Sequence, residues 1–172
     1  MKIYNRQGVE IHDITVADSS CRYRSIMNDD SLTLNFSLPS AIEIPQFSFC
    51  VYEGARYMLW RPSEFKKNHS RDFEYTVTMH GWREHLKMVK YKDMSATPFR
   101  AKFSLTAKPV DMMQNLAACL NNHDSVGGWS VGDCLDAPEK VMSFNHESCL
   151  EALGRFAQEW ETEYEFEGKK IH

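Results

Sequence analysis

Residues 31–40, SLTLNFSLPS, alternate apolar and polar side chains, and this alternation indicates how the first part of the chain folds. One face carries Leu32, Leu34, Phe36 and Leu38. Because successive side chains of a strand point to opposite faces, a period of two predicts a half-buried β-strand. The other face carries only serine, threonine and asparagine, although 26% of the chain is charged. What this uncharged face contacts is therefore a question about function.

Further short segments before residue 108 have the spacing of strands, and turn residues separate them. They are residues 2–4 and 9–11 around NRQG, 13–17, 22–27, the two halves of QFSFCVYEGARYMLWRP (46–62) joined at Glu53-Gly54, DFEYTVTMHGW (72–82) and FRAKFSLTA (99–107). Regularly spaced short strands predict an antiparallel barrel or sandwich. Residues 57–60, YMLW, are apolar on both faces, so they need a second cover besides the core.

The hydrophobic period changes from two to 3.6 near residue 105. Residues 109–122 predict a helix with proline at its first position, 140–144 a strand, and 146–160 a second helix with Asn145 as its cap. We expect an α+β chain, with an antiparallel β-barrel-like domain in residues 1–105 and a small α/β subdomain with two helices in residues 106–172. Residues 169–172 should pair back on 164–166 through a turn at Gly168 and leave a frayed tail.

Composition excludes several classes of protein. The net charge is −4, which gives no nucleic-acid signal, and no run approaches the roughly 18 apolar residues of a membrane span. The first residues lack the apolar core of a signal peptide, and the five cysteines are odd in number and widely spaced. We therefore expect free thiols in a protein made and folded in a cytoplasm.

Two residue pairs have spacings that could hold zinc, Cys119 with His123 and His146 with Cys149. Both cysteines also suit apolar helix faces, so we expect no metal site and no cofactor. His80 and His85 flank Trp82, but the chain has no nucleophile motif of the G-x-S-x-G type. We expect no catalytic residues.

The charges are unevenly distributed along the chain. Residues 54–108 hold 12 lysines and arginines against 5 acidic residues, whereas residues 133–167 hold 2 against 10. These are either two solvated faces of opposite sign or a complementary pair of surfaces. The candidate interface residues are basic Lys66, Lys67 and Arg71, acidic Glu161, Glu163 and Glu165, and apolar Tyr57, Met58 and Trp60. We place all of the glutamates from 161 to 167 on one face of a single strand.

The order of these segments resembles the N-terminal part of phage tail baseplate hub proteins, the family that includes prophage tail-associated proteins. SLTLNFSLP resembles its early strand, FSFCVYEGARYMLWRP its long hairpin, and FEYTVTMHGWREHLK its next strand and turn. KPVDMMQNLAACL, GWSVGD and KVMSFNHESCLEALGRFAQEWETEYEFEG resemble its helix, strand, helix and strand insertion. The resemblance covers residues 30 to 170 and includes no catalytic signature.

This resemblance implies a structural part of a phage or prophage tail, a ring-forming hub that joins the tail tube to the tip. Its implied partners are copies of itself, usually three, and tube and tip proteins, in a virion tail assembled in the bacterial cytoplasm. Family members continue into further domains, so we expect either the N-terminal part of a longer protein or a reduced hub. The alternatives are the positioning region of a tail-associated cell-wall hydrolase or endopeptidase, and a small ligand-binding barrel.

Overall fold

The structure, a computed structural model, describes residues 1–62, 65–67, 72–123 and 127–172. It divides the chain into two compact units, Met1–Trp82 and Arg83–His172. Antiparallel strands occur in both units and helices in the second, so the α+β class predicted from the sequence is confirmed. The division falls before the change of hydrophobic period near residue 105.

The first unit is built on one antiparallel sheet. Its strands are β1 (Lys2–Tyr4), β2 (Glu10–Asp13), β3 (Cys21–Arg24), β4 (Asp30–Leu38), β5 (Phe49–Tyr52), β6 (Ala55–Met58), β7 (Phe65–Lys67) and β8 (Phe73–His80). Their order is β2-β1-β5-β6-β8-β4-β3, and β7 also pairs with β8. Within the described ranges β2 and β3 each have one strand partner, so the sheet is open and not closed into a barrel. The predicted strand 13–17 contributes only Asp13 to the sheet.

The alternation that predicted β4 also defines the core of the first unit. Leu34 and Phe36 are buried and lie opposite Val77 and Tyr75 of β8. The rings of Phe36 and Tyr75 stack with their centroids 4.9 Å apart. The predicted hairpin between β5 and β6 is confirmed as well, with positive φ angles of 49° and 77° at Glu53 and Gly54. Such a pair of angles matches the right-handed twist of the two strands.

The second unit contains two small sheets and three helices. Its elements are α1 (Arg83–Met88), β9 (Lys102–Ala107), α2 (Pro109–His123), β10 (Ser130–Val131), β11 (Lys140–Asn145), α3 (Cys149–Glu159), β12 (Phe166–Glu167) and β13 (Lys170–Ile171). β9 pairs with β11, and β13 lies between β10 and β12. β9 falls mostly within the domain predicted for residues 1–105. Its partner is instead β11, so the second unit begins before the change of period.

The second long helix starts later than predicted. Asn145 is the last residue of β11, and the N-cap of α3 is Ser148. The Ser148 side chain accepts a hydrogen bond from the Glu151 backbone N–H, and the Glu151 carboxylate accepts bonds from Ser148 N–H and Oγ at 2.6 and 2.7 Å. This reciprocal arrangement satisfies two donors at the helix start. These bonds lower the pKa of Glu151 below its ordinary value.

The last residues pair as predicted but are not frayed. Phe166 and Glu167 lie opposite Ile171 and Lys170, and β10 pairs with β13 in parallel on its other side. Ile171 is fully buried. The backbone N–H groups and carbonyls of Glu165 and His172 form two further reciprocal hydrogen bonds. The expectation of a frayed tail was wrong because β13 has a strand partner on each edge.

No helix among the described residues is both long enough and apolar enough to cross a membrane.

Candidate subunit interface

The uncharged face of β4 forms a network of side-chain hydrogen bonds with β8. The hydroxyls of Thr33 and Thr78 are 3.1 Å apart, and Thr76 donates to the Asn35 side chain at 2.8 Å. The Asn35 amide also donates to the Ser19 carbonyl at 3.0 Å. Neutral groups on opposite strands therefore satisfy one another on a surface that remains partly exposed.

The predicted apolar interface residue Tyr57 belongs to the core of the first unit. Its side chain is fully buried, and its hydroxyl donates to Asp30 at 2.8 Å. The Arg22 guanidinium lies 5.5 Å from the ring centroid and 3.4 Å from the same Asp30 carboxylate. Burial, followed by the hydrogen bond to Asp30, raises the pKa of Tyr57 above its ordinary value.

The second apolar face of YMLW has a cover inside its own unit. Trp60 is 7% exposed and packs edge-to-face against Phe47 and Trp82, with centroid distances of 6.1 and 6.3 Å. Its indole N–H donates to the His80 carbonyl at 3.3 Å. Met58 is half-buried, so its side chain is more exposed than that of Trp60.

Two of the three basic interface candidates lie on a strand. Lys66 and Lys67 lie on β7, opposite Glu74 and Phe73 of β8. Arg71 lies outside the described residues. β7 pairs with the first half of β8, so these two lysines lie on a strand of the large sheet.

The acidic surface does not form on one strand as predicted. Glu161 lies in the turn after α3 with a φ of 50°, and the strand itself begins only at Phe166. Glu161, Glu163 and Glu165 are all exposed. None of the three forms an ion pair with any residue in the described part of the chain. A cluster of uncompensated carboxylates of this kind attracts a cationic partner.

A groove of about 320 Å³ opens beside these glutamates, entirely within the second unit. Its lining is mostly apolar and includes Met113, Leu135, Leu153, Phe156, Trp160 and Tyr164. Asp133 and Glu163 add two carboxylates to the lining. The sequence predicted both long helices but not the space left between them, because that space depends on where residues 132–138 and the C-terminal residues pack.

The four residues considered as zinc ligands do not form a single cluster, although the two cysteines are in contact with each other. Cys119 and Cys149 are buried, and Cys119 accepts a hydrogen bond from the Lys92 backbone N–H at 3.3 Å. A hydrogen bond from the Cys149 thiol lowers the pKa of Cys119 and raises that of Cys149. His123 and His146 are exposed. Among the residues that the structure describes, no group of three or more possible ligands could hold a metal ion.

Comparison with known proteins gives one informative similarity. No family model matches the chain, and no curated protein sequence matches it. Among solved structures, the chain is similar to the prophage tail protein gp18 from Listeria monocytogenes EGD-e, with a TM-score of 0.65 and 9% sequence identity. The similarity covers 98% of this chain and 48% of that one, so the chain spans about half the length of the structure it matches. At this identity the similarity establishes a shared fold.

Proposed function

We propose that this chain is a structural protein of a phage or prophage tail, and more specifically a ring-forming baseplate hub that joins the tail tube to the tip. The observation that carries the proposal is the fold similarity to a prophage tail protein over 98% of the chain. On this proposal the chain has a structural role in the virion tail and no catalytic one. Its partners are other copies of itself, three in the ring, together with tube and tip proteins.

The described surfaces support a self-assembling role. The exposed Glu161, Glu163 and Glu165 have no ion-pair partner among the described residues, and residues 54–108 carry the excess of positive charge. In a ring of identical subunits each contact joins two different patches. Opposite charges on separate patches favour that head-to-tail arrangement over a symmetric one.

In a preparation of intact tails from the phage that encodes the chain, antibody-gold against the chain should label one end of each tail. A hub lies only at the junction of tube and tip, so each tail should carry a single cluster of label in electron micrographs. Antibody against the major tube protein serves as the control and should label the whole length. Label along the whole tube, or no label on tails that contain the other structural proteins, would contradict the proposal.

Replacing Met58 with glutamine should weaken self-association about tenfold or more at any salt concentration. Burying a methionine side chain contributes roughly 1.5–3 kcal/mol, and 1.4 kcal/mol corresponds to about a factor of ten.

Reversing the charge of Lys66 and Lys67 should weaken association mainly at low salt, because surface ion pairs contribute about 0–1 kcal/mol each and are screened. Analytical ultracentrifugation of both variants across a salt series measures the two effects.

The matched control is Val51→Gln, because Val51 is 48% exposed on β5, the strand next to Met58. It changes a similar apolar side chain on the same sheet. Equal oligomer content in the wild type and both test variants, independent of salt, would show that neither patch takes part in assembly.

A further inference from the structure

We propose that the groove of the second unit receives Phe99 from a second copy of this chain, with Arg100 and Lys102 of that copy next to the carboxylates of Glu163 and Asp133. This inference rests on the proposed self-assembly and deepens it, since it names the head and the tail of the subunit contact.

The groove has the chemistry of a site for an apolar side chain flanked by cations. Its volume of about 320 Å³ is at the lower end of the range for ligand sites, and its lining is mostly apolar. Glu163 and Asp133 are exposed, and neither forms an ion pair with a described residue. The Asp133 backbone N–H donates to His172 Nδ1 at 3.2 Å, which holds the rim loop against the C-terminal residues.

Phe99 is the apolar side chain that matches this groove. It is 45% exposed in a segment, residues 97–100, in which every residue is exposed. Arg100 follows it with a side chain 66% exposed, and its ion pair with Asp93 is loose at 3.6 Å. Lys102 is also exposed and forms no ion pair with a described residue. An exposed phenylalanine beside two cations complements an apolar groove beside two carboxylates.

Phe99 and the groove lie at opposite ends of the paired strands β9 and β11. Near Phe99, Lys102 lies opposite Asn145, and the His146 N–H donates to the Ala101 carbonyl at 2.8 Å. At the other end Ala107 lies opposite Lys140, whose ammonium donates to the last residue of α3, Glu159. β9 has six residues, which corresponds to a separation of about 20 Å.

The groove lies at this second end, because Pro109 at the start of α2 and Trp160 at the end of α3 both line it. Phe99 accordingly does not line the groove of its own subunit. Between copies the same geometry repeats, because each subunit offers Phe99 at one end and the groove at the other. Contacts of this heterologous kind close into rings or propagate as filaments.

Disulfide trapping tests the contact directly, because Cys134 lines the groove and is a free thiol. A Phe99→Cys variant, with the exposed Cys21 replaced by serine, should form covalent dimers and higher oligomers when the concentrated protein is oxidised with diamide. Diamide accepts the two electrons and two protons released by the thiols. Covalent trapping accumulates even a weakly populated contact, so loss of the phenyl ring does not prevent detection on a non-reducing gel.

Two controls make the trapping specific. Adding Cys134→Ser should abolish the oligomers. Val141→Cys, in place of Phe99→Cys, presents a thiol at another exposed apolar position, 69% exposed on β11, and should give none. Equal yields from the Phe99→Cys and Val141→Cys variants, or a yield that does not depend on Cys134, would overturn the proposal.

Non-covalent association gives an independent measurement. Phe99→Ala should weaken self-association about tenfold or more, as loss of a central aromatic anchor does, and Phe99→Tyr should retain it. Thr162→Trp fills the groove from its exposed rim and should weaken association to a similar degree. If the wild type associates and these variants associate equally well, this inference is wrong while the proposed function stands. A wild type that is monomeric at every concentration and salt would contradict both.

Discussion

Replacing Tyr57 with alanine should lower the free energy of unfolding by about 3–5 kcal/mol, the usual cost of removing a large aromatic side chain from a core. Tyr57 is fully buried, and its hydroxyl is the hydrogen-bond donor to Asp30. Removing it leaves a cavity and removes one of the two partners of a partly buried carboxylate. Tyr57→Phe keeps the ring and should cost less, about 1.5–3 kcal/mol, because it removes only the hydrogen bond to the carboxylate.

Urea denaturation followed by circular dichroism measures both changes. Tyr23→Ala is the matched control, because Tyr23 is 57% exposed on β3, and its effect should stay within about 0.5 kcal/mol. If Tyr57→Ala altered the oligomeric state but left stability near that of the Tyr23→Ala variant, Tyr57 would be an interface residue and not a core residue.

The contribution of Tyr57 should also depend on pH. Its pKa is raised in the folded chain, so the folded state holds the phenol proton more tightly than the unfolded state does. The associated stabilisation is therefore fully present below the ordinary tyrosine pKa of about 10 and is lost as the pH rises above it. The Tyr57→Phe variant should lack this alkaline loss.

Replacing Phe144 with alanine should lower the free energy of unfolding of the second unit by a similar amount, about 3–5 kcal/mol. Phe144 is 2% exposed, and its ring centroid lies 4.7 Å from Tyr91, 5.1 Å from Phe103 and 6.0 Å from Phe156. These four rings join β9, β11, α3 and the segment between α1 and β9, so the substitution opens a cavity where four parts of the unit meet.

Phe99→Ala is the matched control for this prediction. It removes the same side chain from an exposed position and should change stability by no more than about 0.5 kcal/mol. Urea denaturation of both variants makes the comparison, at a protein concentration where the wild type is monomeric, because self-association would add to the measured stability. A loss below 1 kcal/mol for Phe144→Ala would mean that the aromatic cluster does not hold the second unit together. The same comparison shows whether Phe99→Ala can be used to study association without loss of folding.

Local patterns in the sequence were sufficient for most of the individual elements. The alternation in 31–38 predicted β4, the Glu53-Gly54 turn predicted the β5–β6 hairpin, and the period of 3.6 after Pro109 predicted α2. α1 was missed because its six residues are too few to establish a helical period. The start of α3 was misplaced even though Ser148 and Glu151 have the spacing of a capping box, since Asn145 offered a competing cap.

The candidate interface was less predictable than the fold. The sequence located the acidic residues, and they are exposed in the structure. The sequence did not show that Tyr57 is buried and hydrogen-bonded to Asp30. Nor did it show that Trp60 packs against Phe47 and Trp82. An apolar side chain has the same sequence signature whether its cover comes from its own chain or from a neighbour.

Three features can be predicted from the sequence, because each depends on residues that are neighbours along the chain. They are the α+β class, the faces of the long strands and helices, and the separation of positive from negative charge. Three other features become apparent in the folded chain alone: β9 pairs with β11, the large sheet stays open, and a groove forms beside Glu163. Strand pairing and cavities depend on contacts between segments that are distant in the sequence. Their free energies depend on how complementary surfaces meet in three dimensions, and no local period records that.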